Sequence, residues 1–317
     1  MRAMNTPATQ DFRPQLRLCW LWLPLLLALA SGCSIKRLAI NKLGDALSGS
    51  GTAFASDDDP ELVRAAVPFS LKLIESLLAE SPRHQGLLLA ACGGFTQYSF
   101  AFVNQEADEM EDSDIAAATR MRTRARKLYL RARGYGLRGL EARHPNFEQA
   151  LHKNPRAAAQ FAKAGDVPLL YWTAAAWGAA ISVSKDDPAL VSDQLIVEAL
   201  IDRALELDED FDHGAIHGFL IAYEMARQGV PGDAAVRSKK HFDRAMELSR
   251  GKLASPLVSL AEAVAVQNQN RAEFQSLLNR ALAINPDAVP ESRLQNLIAQ
   301  RRARWLLGRV DELFIDG

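Results

Sequence analysis

A five-residue phrase that occurs three times constrains this chain more than any other feature. It reads RALEL at Arg203–Leu207, RAMEL at Arg244–Leu248 and RALAI at Arg280–Ile284, at spacings of 41 and 36 residues. Each copy ends a stretch of helical periodicity, and its small Ala stands where a neighbouring helix can approach closely. Units of this kind bury the apolar side of each helix pair against the next pair, which produces a superhelix with a concave face. The sequence therefore predicts stacked helix pairs.

Helical periodicity, punctuated by Pro and Gly, extends from Pro60 to the end, and no alternating stretch is long enough to indicate a strand. The repeated phrases resemble the second-helix endings of tetratricopeptide repeats, in which a Pro follows the Ala by five residues, as Pro286 does here. The predicted fold is all-α, a TPR-like helical-repeat superhelix of antiparallel helix pairs. The predicted helices are 60–80, 85–106, 113–143, 155–164, 167–183, 187–208, 212–228, 234–249, 255–268, 271–284 and 290–313.

The amino terminus has the layout of an export signal. Arg13 and Arg17 precede the uncharged residues 18–30, and the run ends in the sequence LASGC at residues 29–33. This apolar run is shorter than the roughly 20 residues that a spanning helix needs. Its last residues resemble the lipobox of bacterial lipoproteins, with Cys33 as the acylated residue, and a plain secretory signal is the alternative. We expect a lipoprotein signal peptide at 1–32, lipidated Cys33 and a tether at 33–58, and a helical domain at 59–317.

The charge and the cysteines restrict the function further. Removal of residues 1–32 takes away three Arg and one Asp, so the mature chain carries 37 − 3 = 34 basic and 38 − 1 = 37 acidic residues. A net charge near −3 gives no basic field for nucleic acid. Cys19 leaves with the signal and Cys33 is lipidated, so Cys92 cannot form an intramolecular disulfide, and its apolar neighbours predict a buried thiol.

Two motifs match the spacing of a dinucleotide-binding loop and of a zinc site, but the residues around them do not fit these functions. Residues 134–139 match GxGxxG, yet the basic segment before them is no strand, so we expect a close helix crossing and no dinucleotide site. His213 and His217 have the spacing of zinc ligands on one helix face, with Glu224 as a possible third ligand. Gly214 stands where a metalloprotease has its general base, so a zinc enzyme is the least favoured hypothesis and no metal site is predicted.

A basic block follows an acidic one. Eight Lys and Arg lie within 120–138, and six Asp and Glu lie within 106–114. We expect the acidic loop to neutralise the helix that follows it, which argues against nucleic-acid binding and leaves lipid head groups as an alternative.

Large aromatic residues alternate with small ones at residues 169–180 (LLYWTAAAWGAA). This composition suits a packed core, because small residues let helices close in on the large rings. It equally suits the wall of an apolar ligand channel. The sequence leaves both interpretations open.

Several phrases occur together in one order. They are the lipobox, LYLRARGYGL at 128–137, the aromatic segment at 171–178, GAIHGFLI at 214–221 and RRARWLL at 301–307. In combination they resemble the TatT family, the T component of tetratricopeptide-associated TRAP transporters. The resemblance implies a non-enzymatic periplasmic lipoprotein without a cofactor. It also implies a homotrimer with an apolar channel in each protomer.

The same resemblance implies a periplasmic substrate-binding protein as the partner, together with a membrane contact through the lipid and a small apolar ligand. Ser34 after the lipidated cysteine favours the outer membrane. The alternative is an adaptor lipoprotein that binds peptide segments during envelope assembly. The candidate channel-lining residues are Tyr135, Tyr171, Trp172, Trp177, Phe219 and Tyr223.

Overall fold

The computed structural model describes residues 41–45 and 51–315, which form helices and connecting turns without a strand among them. Residues 41–45 are helical, and the later helices are α1 Gly51–Ala55, α2 Pro60–Glu80, α3 Gln85–Met110, α4 Ile115–Arg143, α5 Phe147–Lys153, α6 Pro155–Ala159, α7 Val167–Ser182, α8 Pro188–Val191, α9 Gln194–Leu207, α10 Phe211–Ala226, α11 Ala234–Leu248, α12 Ser255–Ala265, α13 Arg271–Ala283, α14 Arg293–Leu307 and α15 Val310–Leu313. The predicted all-α class is confirmed. The predicted signal peptide and Cys33 lie outside the described residues.

The helix boundaries follow local capping chemistry. Asp59, Asp114 and Asn270 each accept hydrogen bonds from backbone N–H groups in the first turns of α2, α4 and α13. Several helices differ from the prediction, among them 290–313, which is divided into α14 and α15. The predicted helix 187–208 is divided into α8 and α9, and α5 lies where no helix was predicted. Asn146 precedes α5 with a left-handed φ of 65°, a conformation that periodicity does not reveal.

The long helices pack in a regular order. α3, α7, α10 and α12 contact one another in succession, and each packs against α4, α9, α11 and α13 respectively. The three repeated phrases end α9, α11 and α13, where the small residues Ala204, Ala245 and Ala281 are buried. One apolar core extends from Val63 to Leu220 and a second from Ile221 to Phe314. The repeated Ala therefore occupies helix contacts, as predicted.

Glycines on α4 allow it to approach α3 and α7. A Cβ at Gly136 would lie 2.1 Å from Thr173 Oγ1 and 2.9 Å from Cys92 Sγ, and one at Gly139 would lie 2.8 Å from Leu169 Cδ2. The expected close crossing is therefore correct for these two glycines. It is wrong for Gly134, where a Cβ would meet nothing within 4 Å.

Cys92 lies at this crossing, on the α3 side. Its side chain is fully buried, as predicted, and burial raises the pKa of the thiol to about 12. A thiol with so high a pKa is almost entirely protonated near neutral pH and is a poor nucleophile. The cysteine is therefore a packing residue.

Ion pairs join the end of the chain to its beginning. Arg301 Nη2 lies 2.8 Å from Glu109 Oε2, Arg302 Nη2 lies 3.1 Å from Asp108 Oδ2, and Arg309 pairs with Asp112. The expected neutralisation of the basic block by the acidic loop is confirmed for Arg122, which pairs with Asp108 and Glu111. The remaining pairs were missed because their partners are more than 190 residues away.

Other contacts also place α14 against the first helices of the chain. Arg293 Nη1 donates a 2.9 Å hydrogen bond to the carbonyl of Ser56, so residues just after α1 contact α14 although the sequence predicted a tether there. Leu294 and Ile298 of α14 pack against the first core. The last long helix thus returns to the first helices of the chain.

By length and composition one described helix, α3, could cross a membrane. Of its most apolar window, 67% is buried inside the protein, as in the core helix of a globular domain. The helix contacts α2, α4 and α7.

We predict that Gly136→Ala destabilises the protein by about 1–3 kcal/mol, since the new methyl group overlaps Thr173 and Cys92. Gly134→Ala is the matched control and should be neutral or stabilising by up to about 1 kcal/mol, because its methyl group meets open space. Urea unfolding measures both. Equal stability of the two variants would show that the crossing is not tight.

We also predict that Arg302→Ala lowers the free energy of unfolding by about 1–3 kcal/mol, because it removes charged hydrogen bonds to Glu262 and Asp108. Arg304→Ala on the same helix is the control, since Arg304 is exposed. Thermal unfolding followed by circular dichroism measures the difference. A similar loss of stability in both variants would contradict a specific contribution from the ion pairs of Arg302.

Candidate ligand-binding site

Half-buried aromatic side chains follow the contact between α7 and α10. Tyr171 packs against Phe211 with ring centroids 5.4 Å apart, and Phe219 stacks on Tyr223 at 5.2 Å. Trp172 lies edge-on to Tyr171 at 4.9 Å. We call these five residues the aromatic strip. It contains four of the six residues predicted to line a channel.

Small residues of the neighbouring helices bring the strip close to the backbone. The Cβ position of Gly93 on α3 lies 3.3 Å from Trp172 Cε2, and that of Gly178 on α7 lies 3.4 Å from Phe219 Cζ. Along α7, Ala175, Gly178 and Ala179 are half-buried on the same side as the aromatic pair, whereas Ala176 and Trp177 are buried. One side of α7 therefore remains apolar and partly accessible.

Trp177 and Tyr135 lie outside the strip. Trp177 is 1% exposed, with Arg133 stacked over its ring at 4.6 Å, so it is a core residue and the interpretation as a channel wall is wrong for it. Tyr135 stacks on Phe95 at 6.0 Å and donates a 2.6 Å hydrogen bond to Glu75. Phe95 and Gly93 are two residues apart and face opposite sides of α3, so Tyr135 is separated from Trp172.

The strip is electrically neutral. Burial raises the pKa of the Tyr171 and Tyr223 phenols above their ordinary value of 10, so both stay protonated near neutral pH. The Tyr223 hydroxyl donates to the carbonyl of Gln194 at 3.4 Å. Neutral rings with few polar atoms suit contact with an apolar molecule and supply no acid, base or nucleophile.

The i, i+4 spacing of His213 and His217 does not bring the two side chains together. Asp212, His213 and Gly214 have left-handed φ values of 46°, 56° and 89°, so the regular helix begins after them and the two imidazoles do not share a helix face. His217 instead places its Nδ1 2.9 Å from Nδ1 of His241 on α11. The sequence offers no local signal for His241, because the contact spans 24 residues between two helices.

Glu224, which was considered as a third ligand, already has other partners. Glu224 is buried and accepts hydrogen bonds from Arg227 at 3.0 Å and Arg237 at 2.6 Å. Within the described part of the chain, no group of three or more His, Cys, Asp or Glu side chains could hold a metal ion. The zinc-enzyme hypothesis therefore loses its geometric basis.

Two surface clefts lie near α4 and contain none of the aromatic strip. A cleft of about 260 Å³ is lined by Arg126, Leu130, Arg133, Asp187, Ala189, Leu190 and Asp193. A second of about 420 Å³ is lined by Asn104, Asp108, Arg122, Ser182, Val183, Lys185 and Asp186. Both clefts combine arginine and aspartate side chains, in contrast to the neutral strip.

We predict that the His217–His241 contact makes stability depend on pH. Desolvation lowers the pKa of both imidazoles below the ordinary 6.5, so the unfolded chain takes up protons first as the pH falls. The contribution is present above pH 6.5 and is lost as the pH falls through the lower folded pKa values. The free energy of unfolding between pH 7.5 and 5.5 should show this fall.

His241→Gln should reduce the slope, and His213→Gln is the control because His213 is exposed. An unchanged slope in His241→Gln would exclude the pair as its source.

Comparison with known proteins identifies the family of this chain. The family model "TRAP transporter T-component" matches residues 56–314, from the end of α1 to just beyond α15. A protein of Treponema pallidum (strain Nichols), described as uncharacterized, is 31% identical over 325 residues, which cover 96% of this chain and 99% of that protein. The description of this family names a transporter component and not an enzyme. The chain thus belongs to the TRAP transporter T-component family.

Proposed function

We propose that this protein is a lipid-anchored periplasmic accessory component of a TRAP transporter. It docks the periplasmic substrate-binding protein and holds a small apolar solute against the aromatic strip. The observation that carries this proposal is a neutral, half-buried row of aromatic rings along α7 and α10 in a member of a transporter family. Apolar ligand sites are lined by such side chains.

The proposed scaffold is a TPR-like superhelix of antiparallel helix pairs. Support comes from the succession α3, α7, α10 and α12, whose members contact one another while each packs against a following helix. Because α7 and α10 belong to this row, the strip would line the concave side. An apolar channel and a homotrimer follow from the family resemblance and belong to the same proposal.

The proposed anchor is Cys33, whose lipid would hold the protein on a bacterial membrane, with Ser34 favouring the outer membrane. Asn41 indicates where the tether reaches the fold. Ser81 Oγ lies 2.9 Å from Asn41 Oδ1, and His84 Nε2 lies 3.2 Å from the Asn41 carbonyl. The eight steps from Cys33 to Asn41 span at most about 28 Å. The turn between α2 and α3 would therefore lie near the membrane.

The alternative function is an adaptor for envelope assembly. Exposed apolar side chains on α2 favour a protein contact, since Leu62 is 57% and Phe69 is 74% exposed. The two residues are seven positions apart and share one helix face. A protein docked by either function could use this face, so the solute distinguishes the two.

We predict that native mass spectrometry of the lipidated protein, extracted from its own cells, will detect a trimer with a substrate-binding protein and a small apolar molecule. Phe219→Ala should reduce the occupancy of that molecule at least about tenfold, because stacked aromatic contacts supply much of the apolar surface. Phe161→Ala is the matched control, since Phe161 is 64% exposed and outside the strip.

Trp172→Ala provides a second strip variant if Phe219→Ala is unstable. A protein that carries no small molecule and captures only envelope assembly proteins would contradict the transporter proposal and support the adaptor. Unchanged occupancy in both strip variants would exclude the strip as the binding surface.

A further inference from the structure

Arg133 is a partly buried guanidinium that lacks a hydrogen-bond acceptor among the described residues. Its side chain is 27% exposed, and its nearest carboxylate oxygen, Asp193 Oδ2, lies 3.9 Å from Nη1, beyond hydrogen-bond distance. Its Nε is buried and has no hydrogen-bond partner in the described part of the chain. A buried N–H without an acceptor is unfavourable. Arginine stays protonated in proteins, so the charge persists at this position.

Packing holds this side chain in one place. The guanidinium lies 4.6 Å from the centroid of the Trp177 ring, a cation–π distance, and Trp177 is fixed in the core at 1% exposure. The His152 and Trp177 rings pack in a T-shaped arrangement with their centroids 6.1 Å apart. The arginine is therefore preorganised by the core, and it forms part of the wall of the 260 Å³ cleft.

A second arginine of the same cleft shows the contrast. Arg126 lies seven residues earlier on α4, and its Nη2 is paired with Asp187. Arg133 and Arg126 together supply two positive charges to the lining, and Asp187 and Asp193 supply two negative ones. The lining is formally neutral, yet only Arg126 has a close partner. Arg133 thus has unused hydrogen-bonding capacity in a neutral cleft.

The geometry of the group selects the ligand. A guanidinium presents planar, parallel N–H donors that match a carboxylate. A dianion such as phosphate would meet the two aspartates of the lining, whereas a single carboxylate brings only one negative charge. Leu130, Ala189 and Leu190 line the rest of the cleft and suit a short carbon chain. We propose that this cleft binds a short-chain monocarboxylate, with Arg133 as the residue that receives the carboxylate.

This site is distinct from the aromatic strip. The cleft lies between α4 and the segment around α8, whereas the strip follows α7 and α10. Failure of one proposal therefore leaves the other intact. Two residues of α5 lie beside this cleft. Glu148 interacts electrostatically with Arg133, and His152 Nδ1 lies 3.9 Å from Asp193 Oδ1.

The test titrates the protein, purified from cells that express the full chain, with sodium butyrate, and uses butyramide and inorganic phosphate as reference compounds. Isothermal titration calorimetry gives affinities, and the indole N–H resonance of Trp177 reports the location. Butyrate should bind saturably and shift this resonance. Butyramide and phosphate should bind at least about tenfold more weakly, because one lacks the charge and the other meets the aspartates.

Arg133→Gln should weaken butyrate binding at least about tenfold, and Arg133→Lys should weaken it less, because it keeps the charge but loses the planar fork. Arg120→Gln, on an exposed part of α4, is the matched control. Asp193→Asn should tighten binding several-fold by removing the competing acid. Equal binding of butyrate and butyramide, unchanged affinity in Arg133→Gln, or no saturable binding of acetate, butyrate or hexanoate would each overturn the proposal.

Discussion

The close contact between α4 and α7 determines where the other parts of the first core lie. The two helices are antiparallel. Their facing pairs are Gly139 and Leu169, Gly136 and Thr173, and Arg133 and Trp177. A side chain at Gly136 would separate the helices and break this register. The buried side of α7 is committed to α4 by these contacts. Its other side is left for the aromatic residues that meet α10.

Closure of the chain by ion pairs is a second constraint. α14 must lie against α1, α2 and the second core at once, and its arginines meet acidic residues in the last turn of α3. Burial raises the pKa of Glu106 in this region although Arg64 lies close by. The arrangement is a network of charges in which each carboxylate depends on an arginine from another part of the chain.

The sequence predicts properties that depend on neighbouring residues. Periodicity revealed the all-α class, the repeated Ala predicted the helix contacts at Ala204, Ala245 and Ala281, and two glycines of 134–139 indicated the crossing. The sequence does not predict contacts between residues that are far apart along the chain. No local pattern indicates that His217 meets His241, and five residues along one helix separate a buried Trp177 from a half-buried Trp172.

Two π-helical turns in the described part of the chain orient the carboxylates that pair with the arginines of α14. One turn, Phe100–Asn104, precedes Asp108 and Glu109 on α3, and the other, Ala261–Ala265, contains Glu262 on α12. A π turn is equivalent to one residue inserted into an α-helix. Deleting one residue at Phe100–Asn104 would restore a regular helix and rotate Asp108 and Glu109 by about 100° relative to the preceding part of α3. Homologous chains that keep Arg301 and Arg302 should therefore also keep the length of this helix, and single-residue gaps in an alignment should avoid it.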